Sequence, residues 1–244
     1  MLDMKTRFEK IKKKPAYRIL AEAMIEQILD GRLKEGDQLP TEVQLCEMFG
    51  VNRSTVREGI RVLEEANLLR RESAKRLLVS RPSNEELGDQ LERALILREV
   101  TFDELWEGMY ILEPSMARLA AGKKDNELLQ RLDENLRQSE RALAQGESLV
   151  RLDIEFHNLV ANLCGNRALM LGREPLSRLF YPSFKAVMEN VPEAGGRLVD
   201  AHRFILDAIH RQDAIAADEW MRKHIRDFKR GYQMTHRDLS APVS

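Results

Sequence analysis

The sequence predicts a mainly α-helical protein in two parts, a winged helix-turn-helix domain over residues 1–82 and an antiparallel all-helical bundle over residues 83–244. Three observations lead there. Apolar residues recur at 3.6-residue spacing through most of the chain. Glycine and proline are scarce, 13 and 8 of 244 residues, and many of them punctuate the periodic windows. The formal net charge of -1 is unevenly spread: residues 1–82 hold 17 Lys+Arg against 13 Asp+Glu, a net of +4, and residues 83–244 hold 22 against 27, a net of -5. The basic part suits an anionic partner that the acidic part does not.

In 15–31, Ile19, Leu20, Ala23, Met24 and Ile28 mark one helical stripe, interrupted by Gln27, with Gly31 at a C-cap position. The connector R-L-K-E-G-D-Q-L-P leads to two short helical segments, 41–49 and 53–66. Gly50 ends the first as a C-cap, and Asn52 precedes the second as an N-cap. Residues 67–81 read as two short strands about a polar turn. Helices follow over roughly 84–98, 102–121, 125–144, 147–164, 166–190, 196–210 and 212–230, with Gly122, Gly146, Gly165 and Gly195–Gly196 marking short connections. Pro114 is expected to kink its helix, and the tail from Met234 to fray.

A hydrophobic share of 43% suffices for packed cores. Cys46 and Cys164 stand far apart, so neither a disulfide framework nor a cysteine zinc site is indicated. The basic start MLDMKTRFEKIKKKP has no apolar h-region, and no run of 18 apolar residues occurs, so a cytoplasmic protein without membrane attachment is expected.

A helix beginning near Arg53 presents Asn52, Arg53, Ser54, Thr55 and Arg57 at its N-terminal turns and turns Val56, Ile60 and Leu63 inward. Hydroxyls and free backbone N–H groups at a helix start bind phosphate, and arginine reads guanine edges bidentately, so this is the composition of a DNA-recognition helix. An amphipathic helix with a solvated basic face is the alternative. Lys10, Lys12, Lys13 and Lys14 are either an arm touching phosphate or a solvated run.

L-K-E-G-D-Q-L-P-T-E followed by F-G-V-N-R-S-T-V-R-E-G-I-R-V-L resembles the DNA-binding domain of the GntR family of bacterial transcription regulators, over about residues 15–80. The resemblance implies a homodimer on double-stranded, palindromic operator DNA, with contacts carried to Arg53, Ser54, Thr55 and Arg57. Two positions depart from the family pattern. Val43 stands where an arginine is usual, and the wing turn Glu72-Ser73-Ala74-Lys75-Arg76 has no glycine. Lys75 and Arg76 are candidate phosphate contacts, a solvated turn being the alternative.

In the second part, Asp153 and His157 lie one helical turn apart beside Val150, Ile154 and Val160, and His202 and His224 fall on the two limbs of a helical hairpin turning at Arg211-Gln212-Asp213. Four ligand-type residues on inward faces suggest one metal site, as against separate surface and core roles. A metal-dependent enzyme is the competing reading, with Glu155 and Glu113 as the nearby acid–base candidates.

D-x-x-F-H, C-G-N, A-H-R-x-I-L-D-A-I, M-x-x-H-I and W-x-x-x-x-x-L-E-P-S-M-A-R-L-A-A resemble the ligand-binding FCD domain of the FadR subfamily, over about residues 85–232. The resemblance implies a divalent metal (Zn²⁺, Ni²⁺ or Mn²⁺) on Asp153, His157, His202 and His224, and a small-molecule effector, an organic acid being one class. Met109 stands where the family often has an arginine for an effector carboxylate. Asn166 is a candidate effector contact or a helix N-cap. Trp106, Tyr110, Phe156 and Tyr181 are expected in the core, and His210 and His236 in solvent.

Overall fold

The computed structural model describes residues 14–73 and 76–243, which fall into two compact units dividing between Ser83 and Asn84. The first holds α1 (Ala16–Leu29), α2 (Glu42–Phe49), α3 (Arg53–Glu65) and an antiparallel pair, β1 (Leu69–Ser73) and β2 (Arg76–Val79). Thr41 opens α2 with a reciprocal capping box to Gln44, and Gly50 closes it in the left-handed region at φ 62°. Asn52 then caps α3 by accepting from the Thr55 N–H, so the turn between the helices is fixed at both ends.

Strand register runs from Leu69 opposite Val79 to Ser73 opposite Arg76, with an irregularity between Arg71 and Ser73. The connector expected as a loop also pairs with β2: the Leu39 N–H donates to the Leu77 carbonyl, and the Val79 N–H to that of Asp37. β2 is therefore paired along both edges, and Leu77, Leu78 and Val79 are buried. Leu20, Met24, Leu45, Val56, Ile60, Leu63 and Leu69 complete this core.

The second unit is helical throughout: α4 (Asn84–Leu97), α5 (Phe102–Ala120), α6 (Asn126–Gln145), α7 (Val150–Cys164), α8 (Arg167–Asn190), α9 (Ala194–His210) and α10 (Ala214–Met234). α5 packs on α7, α8 and α10, α7 on α6, and α9 on α10. Pro114 lies buried inside α5 without ending it, and Ser115 hydrogen-bonds back to the Ile111 carbonyl. One expected break moves. Gly195 and Gly196 fall in the first turn of α9, and the chain leaves α8 at Val191, extended (φ -124°, ψ 93°) because Pro192 follows it. Gly195 is needed for packing, since a Cβ there would lie 3.1 Å from Leu143 and 3.2 Å from Leu149.

The tail corrects the expectation of fraying. Beyond α10 the chain returns to the head of α5, where the N–H groups of Phe102 and Asp103 donate to the carbonyls of Ala241 and Leu239, and Val243 donates to Val100. A helix start leaves N–H groups without intrahelical partners, and here the tail accepts from two of them. Leu239 and Val243 also pack on the cluster around Phe102, Phe180 and Phe228. Deleting residues 237–244 is expected to cost about 2 kcal/mol and lower Tm by about 4–8 °C; an unchanged melt by circular dichroism would contradict this role.

Candidate metal centre and nucleic-acid interface

The head of α3 is held from beneath by Val56, Ile60 and Leu63, all buried, which leaves its first turns facing outward. Arg53, Ser54 and Arg57 are exposed and Thr55 is half-buried. The Ser54 hydroxyl donates to Asn52 Oδ1 at 2.7 Å, and Arg57 is loosely paired with Glu42 at 3.8 Å. Positive side chains therefore surround a helix N-terminus that already favours anions. Arg76 is exposed and ion-paired with Glu72, Val43 is exposed on α2, and Lys75 lies outside the described residues.

In the second unit Asp153, His157, His202 and His224 meet. α7 supplies Asp153 and His157 one turn apart, and the α9–α10 hairpin supplies the two other histidines. All four are buried, and one ligand atom from each lies within 4.8 Å of the others. His157 Nε2 is 3.1 Å from His224 Nε2, and Asp153 Oδ1 is 3.3 Å from His202 Nε2, 3.7 Å from His157 Nε2 and 3.8 Å from His224 Nε2. Atoms bound to a common ion through bonds of about 2 Å stand roughly 3 Å apart, so these spacings suit one shared ion.

Unsatisfied atoms point the same way. Among the described residues, four buried side-chain N or O atoms lack a hydrogen-bond partner, and three belong here: Asp153 Oδ1 and both ring nitrogens of His202. Burial of such atoms without partners is costly, and a cation shared by Asp153 Oδ1 and His202 Nε2 would satisfy two of them. The donor set of three imidazoles and one carboxylate fits Zn²⁺, Ni²⁺ or Mn²⁺. Burial, reinforced by His202 and His157, pushes His224 down to about 3, and burial with His157 holds His202 well below the ordinary histidine range. Neutral imidazoles are the metal-binding form, and burial favours it at these two, whereas at His157 burial is outweighed by the Glu113 and Asp153 carboxylates, which raise it.

Behind the cluster stands Glu113, one of the two nearby carboxylates named from the sequence, together with Arg173, which the sequence did not point to. Glu113 of α5 is fully buried, one carboxylate oxygen 2.9 Å from His157 Nδ1 and the other accepting from Arg173 Nε of α8. The Arg173 Nη1 donates to Asn158 at 2.7 Å and its Nη2 to the Tyr181 hydroxyl at 3.3 Å. Glu113 therefore fixes the His157 ring with Nε2 toward the other three ligands. Glu155, the other carboxylate considered from the sequence, pairs outside with Arg151. Phe156 stacks on the His202 ring at 3.7 Å. Asn166 is not brought to the cluster: it is exposed at the head of α8, accepting from the N–H groups of Ala168 and Leu169, as its N-cap reading implied. His210 is exposed and 2.8 Å from Asp133.

Burial opposes ionisation of Glu113, but Arg173 and His157 outweigh it and hold the group at about 2. The stability it confers is thus whole above the ordinary value of 4.5 and is lost as pH falls toward 2. Urea midpoints are expected to decline through that acid window. Glu113→Gln, which leaves Arg173 buried without its counter-charge, is expected to cost about 3–5 kcal/mol at neutral pH and to flatten the acid limb; a variant as stable as wild type would refute the pairing.

Residues 16–79 match the family of bacterial regulatory proteins, gntR family, and residues 104–227 match the FCD domain. The HTH-type transcriptional repressor NanR of Cronobacter sakazakii is 28% identical over 222 residues, covering 87% of this chain and 85% of that protein. Its Salmonella typhimurium counterpart is 25% identical, covering 88% and 85%. The solved Streptococcus agalactiae GntR structure superposes with a TM-score of 0.60 at 27% identity, covering 88% of this chain and 99% of that one. These matches bear out the expected fold class and decide for a regulator over the metal-dependent enzyme also considered. No helix among the described residues is long and apolar enough to cross a membrane. A gntR-type DNA-binding region followed by an FCD domain makes this chain a member of the GntR family of bacterial transcription regulators.

Proposed function

We propose that the protein is a cytoplasmic, metal-dependent sensor of the FadR subfamily that binds a palindromic operator as a homodimer and changes its DNA affinity when a small effector occupies the helical pocket. Residues 1–82 are the DNA-binding domain in this reading, and residues 83–244 the effector-binding and dimerisation domain. The observation that carries it is the convergence of four buried ligand atoms, two of the donor residues bearing orphaned polar atoms, inside the FCD domain of a gntR-family chain. The NanR relatives are named repressors, which favours repression here as well.

Arg53, Ser54, Thr55 and Arg57 contact DNA from the head of α3, with Lys75 and Arg76 supporting from the wing. Asp153, His157, His202 and His224 hold the ion, which when bound supplies a Lewis-acidic position for an effector oxygen. Glu113 orients His157, and Arg173 keeps Glu113 ionised. α8 carries Arg173 and Tyr181 beside the pocket and joins Asp89 and Glu92 of α4 through Arg178. α4 begins directly after the division between the units, so an occupant that displaces α8 acts on the helix leading from the DNA-binding region. Such control requires different effector affinity in the DNA-competent and DNA-incompetent states.

Two measurements test this reading. Anisotropy titrations on a genomic fragment selected with the wild-type protein are expected to show salt-sensitive binding. Arg53→Ala/Arg57→Ala should weaken it by about 10- to 100-fold at fixed salt; equal binding by the variant would reject the interface. Elemental analysis after chelation and reloading with Zn²⁺, Ni²⁺ or Mn²⁺ is expected to find one ion per chain, lost in a folded His202→Ala variant. Wild-type protein without an ion, or a variant that retains it, would reject the centre.

A further inference from the structure

Resting on the metal reading above, we propose that the effector is a small monocarboxylic acid with an apolar body, its carboxylate directed to the ion and its body lodged between α5, α8 and α10. The cavity beside the cluster is bounded by Asp153, His157 and His224 on the ligand side. Its apolar wall is Met109 of α5, Phe180 and Phe184 of α8, and Ile225 and Phe228 of α10, and Arg173 and Tyr181 of α8 complete the lining. All five apolar residues are buried, and Phe180, Phe184 and Phe228 form one aromatic cluster, with the Phe228 centroid 4.7 Å from that of Phe180 and 5.8 Å from that of Phe184.

Charge sets the head of the ligand. The buried formal charges around the cavity are Asp153, Glu113 and Arg173. Glu113 matches the charge of Arg173, whose Nε, Nη1 and Nη2 are turned to Glu113, Asn158 and Tyr181, so its positive charge is already balanced within the protein. A divalent ion beside Asp153 leaves one net positive charge in a site screened from water. A single carboxylate neutralises it, whereas a second would lie desolvated without a counter-charge.

The wall sets the body. Hydroxyls of a sugar acid or hydroxy-acid would face four aromatic or aliphatic side chains and Met109, and each would forfeit its hydrogen bonds to water. The Tyr181 hydroxyl also borders the cavity and already accepts from Arg173. The free volume is about 20 Å³, room for one water. The body of the acid must therefore displace ring surface from the cluster of rings, and an apolar body replaces what it displaces with like contacts.

The test uses the full chain loaded with Zn²⁺, its metal content measured beforehand, in thermal melts and calorimetry. Benzoate, phenylacetate and 3-methylbutanoate are compared with citrate, succinate and gluconate. The apolar acids are expected to raise Tm by about 3–6 °C near saturation and to bind at least about tenfold more tightly than the polar ones, and the difference should vanish in chelated protein. Phe184→Ala is expected to move the preference toward bulkier apolar acids without conferring citrate binding. An ion-loaded protein that prefers citrate, succinate or gluconate, or that responds to none of the six, overturns this proposal and leaves the metal centre standing. A chain that takes up no ion overturns both.

Discussion

Glu113 and Arg173 impose the constraint on which the helical unit depends: two opposite charges, both removed from water, that the interior tolerates only together. Stripping either of solvent costs several kcal/mol, and an ion pair recovers that cost only with close geometry and its other hydrogen-bonding groups satisfied. Here the geometry comes from three helices. α5 brings Glu113, α8 brings Arg173, and α7 brings Asn158 and His157, which engage the pair from the other side. Sliding any of these helices by a turn would separate the charges. The packing of Met116, Phe156, Leu159 and Ile225 into one core supplies most of the burial energy, and the ion pair selects the register in which that core closes.

Much of the fold was legible because helix ends are written locally. Thr41, Asn52, Thr101 and Asp125 each cap a helix, and Gly50, Gly146 and Gly165 close three in the left-handed region. The four ligand-type residues could also be read, two from i, i+4 spacing and two from hairpin symmetry. What stayed hidden depends on contacts distant in the chain. Glu113 and His157 are 44 positions apart and Glu113 and Arg173 60, and nothing in the windows around them distinguishes a buried charge from a solvated one. The tail escaped for the same reason. Residues 235–243 carry no helical period, and their order comes from α5, more than a hundred positions earlier. At Gly195–Gly196 composition misled: a glycine pair reads as a break, but Pro192 ends the preceding helix and Gly195 serves close packing.

The first unit solves a different problem with a smaller core. Its helix α3 must be anchored along one face and free at its head. Gly59 allows α3 to lie against α1, where a Cβ would fall 2.6 Å from the Leu20 side chain and 3.2 Å from the Tyr17 carbonyl. Val56, Ile60 and Leu63 complete that contact. Arg61, farther along the helix, is satisfied by Glu58 and Glu65 on its own surface, pairs that contribute little to stability. Among the described residues, Arg57 is paired with a distant carboxylate, Glu42 at 3.8 Å. Arg53 and Arg57 thus stand exposed at the start of α3, where backbone N–H groups also point outward.

A pocket with room for one water has a consequence for control in the proposed reading. A preformed cavity would accept a ligand with little rearrangement, leaving the two conformations of the protein nearly equal in affinity and the ligand without influence. A site closed by Phe180 and Phe184 of α8 cannot admit an acid until those rings move, so binding and displacement of α8 are one event. The same helix holds α4 through Arg178, and the free energy of repacking the aromatic cluster enters the difference between the two states directly. By reciprocity, DNA that favours the closed arrangement must weaken the acid by the factor with which the acid weakens DNA. Tight packing around the ion is then what allows a small ligand to act on the DNA-binding region, at the expense of part of its own affinity.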